Sequence, residues 1–183
     1  PKTWGYLHRF ETVLRKTGIF KRFFKPTDPF YSIFNVGDYT FAPFKLVIRE
    51  IAGTLTCAVL GKKDRRVLIP DHKLVLVPSE TAHEAHYLCA VLNSSPARCF
   101  AASYTIETQF STHIFQLMSI PTFSEKNPVQ LRLAELSEAA HKITASGDMT
   151  KVKSIEDEVN RVAAKLWDLT DAELSEIRAS LEK

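Results

Sequence analysis

His83-Glu84-Ala85-His86 brings two imidazoles and a carboxylate into one short stretch. A zinc site of the His-Glu-x-x-His kind needs its two rings four residues apart, so that both leave one helix face. Here they are three apart, and the neighbouring sequence suggests no third ligand. The expected role is a solvated or locally hydrogen-bonded helix face, with no metal. Cys57, Cys89 and Cys99 are odd in number, far apart and set in apolar stretches, which reads as buried free thiols in a reducing compartment. No Gly-x-Ser-x-Gly elbow marks a nucleophile. No glycine loop of the dinucleotide or Walker type is present, and six glycines argue against a nucleotide-binding fold.

The basic residues carry more. Lys21, Arg22 and Lys25 interleave with Phe20, Phe23, Phe24, Phe30 and Tyr31. Lys45 and Arg49 lie four apart in a strand-like run and so share one face. Lys62, Lys63, Arg65 and Arg66 crowd a turn. Such clusters neutralise phosphates, and arginine can read guanine edges. The competing reading makes the aromatics core and the charges solvated. Residues 1–73 hold 14 Lys/Arg against 6 Asp/Glu, whereas residues 74–183 hold 10 against 15. A basic first part beside an acidic second part points to a polyanionic partner for the former.

These residues need elements to hold them. Residues 3–16 have Trp4, Leu7, Phe10 and Leu14 at helical spacing, with Thr3 as N-cap and Gly18 as the stop. An aromatic, basic loop is expected over 20–44, broken by Pro26, Pro29, Gly37 and Pro43. Short runs rich in Val, Ile and Leu at 45–51, 55–60, 67–69 and 74–77 predict strands. The pair 55–60 and 67–69 would form a hairpin with a basic tip. Thr81 and Glu84 make a capping box for a helix over 82–93, with Ala85, Leu88, Val91 and Leu92 on its apolar face. Helix, loop and a short strand at 113–120 are expected next. Val129, Leu133, Leu136, Ala140 and Ile143, then Val152, Ile155, Val159, Val162, Leu166 and Leu169, form two seams of coiled-coil type. The short linker 145–148 predicts that they fold back antiparallel. Thr170 and Glu173 open a last helix with a capping box, and Leu169 with Leu174 makes a hydrophobic staple.

With these elements in place, several strings show a resemblance. The run Pro-Lys-Thr-Trp-Gly-Tyr-Leu-His-Arg-Phe-Glu (1–11) resembles the stretch after the catalytic domain of large bacterial adenine-N6 DNA methyltransferases, the type IIG-like and phage-defence enzymes. The resemblance continues through residues 30–37, Tyr39-Thr40-Phe41-Ala42-Pro43-Phe44-Lys45, residues 87–95, Ser111-Thr112-His113-Ile114, Ile120-Pro121 and residues 166–174. It implies a C-terminal target-recognition region that clamps duplex DNA against a catalytic domain. In such enzymes the catalytic domain flips an adenine and methylates its N6 from S-adenosylmethionine. The Asn/Asp-Pro-Pro-Tyr/Phe and glycine-rich cofactor motifs of that domain have no counterpart here. Asn127-Pro128-Val129-Gln130 is the nearest string, and it lacks the second proline and the aromatic. By position, the resemblance makes Lys45 and Arg49 the leading DNA contacts. It adds Tyr39, Thr40, Ser111, Thr112 and His113 to the basic residues Lys21, Arg22, Lys25, Lys62, Lys63, Arg65 and Arg66. It gives Leu92-Asn93-Ser94-Ser95 a structural role, with Asn93 as a cap. The C-terminal helices resemble spacer helices that set distance and orientation.

The chain is therefore expected to be α+β. A small mixed β-sheet with flanking helices (1–123) would precede an antiparallel helical hairpin and terminal helix (124–183). The expected function is sequence-specific duplex DNA recognition within a restriction–modification or phage-defence methyltransferase. No enzyme activity or cofactor is expected of these residues themselves, and S-adenosylmethionine would belong to the catalytic domain of the parent chain. The alternative is a protein-interaction scaffold without DNA binding of its own. The start at Pro1 reads as an excised or processed piece, and the absence of a signal or an apolar span predicts a cytoplasmic protein.

Overall fold

A computed structural model describes residues 2–62, 66–71, 73–104 and 112–182. They fall into two compact units, Pro1–Thr40 and Phe41–Lys183.

The first unit holds three short helices, α1 (Lys2–His8), α2 (Glu11–Lys16) and α3 (Gly18–Phe23). The single helix expected over 3–16 is thus broken at Arg9-Phe10. Gly18 opens a helix rather than closing one, because Thr17 turns the chain and accepts a hydrogen bond from Phe20 N at 3.3 Å. α3 also replaces the first part of the expected loop. Phe20 and Phe30 are buried. Phe30 packs on Trp4, His8 and Tyr31. Arg15 fastens the following loop by donating to the carbonyls of Pro26 (2.9 Å) and Asp28 (3.1 Å).

The second unit is built in layers. Strands β1 (Phe44–Arg49), β2 (Cys57–Leu60) and β3 (Leu74–Ser79) form one sheet in the order β2-β1-β3. Both pairings are antiparallel, with Ile48 opposite Cys57 and Val75. The sheet is antiparallel throughout, not mixed. The expected 55–60/67–69 hairpin is replaced by β1 pairing with β2. Residues 67–69 form no strand, and Leu68 and Ile69 are exposed. β1 is apolar enough to occupy the middle of the sheet, whereas 67–69 is too short to compete for it.

Helix α4 (Ala82–Asn93) lies at the centre of this unit. On one side its Cys89 and Leu92 join Leu46, Ile48, Leu55 and Cys57 in a core. On the other its Tyr87, Ala90 and Val91 join Leu133, Leu136, Val159 and Ala163. Those last residues belong to α7 (Pro128–Ser146) and α8 (Met149–Ala164). Gly147, at φ 83°, and Asp148 link the two helices, and Arg132 of α7 bridges Glu158 of α8 at 2.7 Å. A tight link and a bridge between their far ends require an antiparallel hairpin. α4 and α7, on either side of residue 123, share one core.

Helices α5 (Ser95–Tyr104) and α6 (Thr112–Leu117) complete the sheet-side core through Ala97, Ala101 and Ile114. α6 stands where a strand at 113–120 was expected. α9 (Asp171–Leu181) closes the chain with the Thr170/Glu173 capping box fully formed. In α4 the box is only half made. Thr81 accepts from Glu84 N at 3.2 Å, but the Glu84 carboxylate turns to the Ser79 hydroxyl at 2.7 Å. Among the described residues no helix is long and apolar enough to cross a membrane.

Candidate nucleic-acid interface

The strand alternation places Lys45, Val47 and Arg49 on one face of β1, with Leu46 and Ile48 on the core face. The two cations on that face have opposite fates. Arg49 is exposed at the strand end. Lys45 is only 1% exposed, and its Nζ donates to Ala42 O at 2.6 Å. Burial lowers its pKa, because a desolvated ammonium is disfavoured in its charged form. In this structure the Lys45 ammonium is turned to the Ala42 carbonyl and not to solvent, unlike that of a surface cation. Spacing shows which face a residue shares. It does not show which part of that face is covered.

Thr40 is covered in a similar way. It is buried, and its hydroxyl accepts from Gly37 N at 3.2 Å within the 3-10 turn Asp38–Phe41. Tyr39 is exposed, with its hydroxyl bonded to Asn35 O. Its ring lies over Gly37, where a Cβ would come within 2.9 Å of Tyr39 Cε1, so a glycine suits that turn. Lys21, Arg22 and Lys25 are all exposed, and none joins an ion pair among the described residues. Lys62 and Arg66 are exposed too. Lys62 follows the end of β2, whose Leu60 pairs with Lys45. Arg49 is four residues further along β1, or about 13 Å at 3.3 Å per residue, so the sheet does not gather these cations at one point. His113 is exposed on α6, and Thr112 opens that helix. Lys63, Arg65 and Ser111 lie outside the described residues.

The histidine group has a structural function that the sequence reading did not find. His86 Nδ1 lies 3.1 Å from the Ser137 hydroxyl, and its ring meets His141 edge-on. Val59 N–H donates to His141 Nε2 at 3.0 Å, while His141 Nδ1 lies 2.8 Å from Ser137 O. An amide donor at one nitrogen and a carbonyl acceptor at the other fix a neutral ring protonated on Nδ1. Burial lowers the His86 pKa to about 4, because a desolvated imidazolium is disfavoured. Asn93 acts similarly at β2, taking Cys57 N–H on Oδ1 (3.0 Å) and giving Nδ2–H to Cys57 O (2.9 Å). Two helix side chains thus satisfy the outer edge of β2, a job that a strand would otherwise do. Asn93 is therefore an edge clamp, and the cap itself is Ser94, whose hydroxyl bonds Val91 O at 2.6 Å.

Asn127-Pro128-Val129-Gln130 is a helix start. Asn127 Oδ1 accepts from Val129 N and Gln130 N, and Pro128 occupies the first turn. Among the described residues no three His, Cys, Asp or Glu side chains converge as a metal site. A cavity of about 260 Å³ between α5, α6 and α9 is lined by Pro96, Phe100, Met118, Trp167 and Ile177. Its lining includes no charged side chain.

Sequence comparison gives these placements a context. The chain is similar to a Type II methyltransferase. Over 105 residues, 56% of this chain, it is 36% identical to M.NspV of Nostoc sp. (strain ATCC 29411 / PCC 7524). The aligned part is 21% of that enzyme, so the chain spans about a fifth of the relative it matches. The chain is thus related to a methyltransferase of the type II class. No family model and no solved structure matches it.

Proposed function

We propose that this chain is the target-recognition region of an adenine-N6 DNA methyltransferase of a restriction–modification or phage-defence system, and that it reads duplex DNA. The observation that carries the proposal is the 36% identity to a type II methyltransferase over a part amounting to 21% of that enzyme. The exposed cations Lys21, Arg22, Lys25, Arg49, Lys62 and Arg66 support it, as groups able to meet phosphates. Methyl transfer and S-adenosylmethionine binding are assigned to a separate catalytic domain, with which this region would close around the duplex.

The test is anisotropy of a labelled duplex titrated with the chain across a salt series. Each phosphate contact should steepen the slope of log K against log salt by about 0.9. A slope near zero across roughly 50–300 mM salt would falsify phosphate contact by these cations. If duplex binding is absent while a protein partner is retained through the α7–α8 hairpin, the scaffold reading replaces this one.

A further inference from the structure

We propose that Phe23 and Phe34 form a stacking platform for an unstacked DNA base, with Lys21, Arg22 and Lys25 holding the phosphates beside it. The proposal rests on the DNA-binding reading above and adds a second mode of contact to it. The first unit buries Phe20 and Phe30, at 6% and 5% exposure, yet leaves Phe23 and Phe34 each 44% exposed. The two rings stack with centroids 3.8 Å apart and planes 26° apart, and the Arg22 guanidinium lies 5.2 Å from the Phe23 centroid.

The surroundings hold the pair in place. Thr17 caps α3, which carries Lys21, Arg22 and Phe23 in sequence. The returning loop is tied by Arg15 to Pro26 O and Asp28 O, and by Lys25 N to the Asp28 carboxylate at 2.7 Å. The acids of this unit are mostly committed locally. Glu11 bridges His8 and Arg15, and Asp28 caps Lys25 N. Arg22, which lies against Phe23, and its neighbours Lys21 and Lys25 join no ion pair among the described residues. A stacked aromatic surface with an arginine against one ring and two further unpaired lysines nearby in sequence complements a polyanion with π faces. Single-stranded DNA and a base extruded from a duplex share this chemistry.

The test measures binding of the full chain to an oligothymidylate of about twelve residues carrying one 2-aminopurine, beside an intact duplex and a duplex with one unpaired base. Stacking on the platform should change the 2-aminopurine fluorescence. Phe23→Leu and Phe34→Leu keep apolar volume but remove the rings. Each should weaken oligothymidylate binding roughly 5- to 150-fold without changing its salt slope. Phe34→Tyr should bind as the unaltered chain does. Lys21→Ala and Arg22→Ala should instead lower the slope, by about 0.7 per lost contact on a single strand. Tighter binding to the unpaired-base duplex than to the oligothymidylate assigns the platform to extruded bases, and the reverse order assigns it to single strands. The proposal is overturned if folded Leu variants bind like the unaltered chain, or if the 2-aminopurine signal does not change on binding. Intact-duplex binding that survives either result leaves the target-recognition reading standing, whereas no binding to any DNA at low salt removes both.

Discussion

Replacing Lys45 with methionine should make the protein more stable and leave DNA binding unchanged. The Lys45 ammonium is 1% exposed, and Ala42 O is its hydrogen-bond partner, at 2.6 Å. One charge-assisted hydrogen bond contributes about 1.5–3 kcal/mol, against an effective desolvation cost of several kcal/mol for a buried ion. Methionine has a similar length and needs no partner, although the Ala42 carbonyl then loses its donor at a cost of about 1–2 kcal/mol. At a desolvation cost of about 5 kcal/mol the two losses leave a net gain of about 0–2 kcal/mol, read as a rise of up to about 8 °C in the melting temperature for a chain of this size. The pH dependence gives a second readout. The folded-state pKa of Lys45 lies below the value of 10.5 for a free lysine. Between those two values the unfolded chain binds the proton and the folded protein does not, so stability rises with pH through that window. Lys45→Met should abolish the rise. Arg49→Met should do the opposite in both respects, weakening DNA binding while changing stability by less than about 0.5 kcal/mol, because it is a surface substitution. A folded Lys45→Met protein that loses DNA binding would refute this account, since the ammonium would then have to leave its buried site to meet the ligand.

Three further outcomes test the scaffold that holds the site. The His86 pKa is lowered to about 4, so the unfolded chain takes up the proton near pH 6.5 and the folded protein only near 4. Its contribution is complete above about pH 6.5 and is lost as pH falls towards 4, a loss of about 1–2 kcal/mol after allowing for partial exposure. His86→Asn should flatten denaturant midpoints across that range. Asn93→Leu removes both side-chain bonds to Cys57 and should cost about 2–4 kcal/mol, with faster hydrogen exchange at the Cys57 amide. Unchanged exchange there would show that the edge of β2 does not depend on the clamp. Gly147→Ala, at φ 83°, should cost about 1 kcal/mol in chemical denaturation, because the left-handed turn between α7 and α8 strains any side chain.

The sequence by itself determined the elements whose physics is local. The seams through Leu133, Leu136, Val152 and Val159, the Gly147 turn and the Thr170/Glu173 box depend on neighbours within a few residues, and the structure forms each of them. The α+β class followed from the same local patterns. Wherever several partners were compatible with one pattern, only the tertiary structure decided. Residues 55–60 could pair with 67–69 or with 44–49, and burying the apolar β1 between two strands decided for the latter. Within the run at 113–120, residues 113–117 are helical, and Ile114 and Met118, four residues apart, both enter the sheet-side core. Lys45 and Arg49 look alike in sequence and share a strand face, yet one is buried on a carbonyl and the other reaches solvent. Periodicity specifies the direction in which a side chain leaves the backbone. Whether it meets water, a carbonyl or a ring depends on residues distant in the chain, as His141 reaching Val59 and Asn93 reaching Cys57 show.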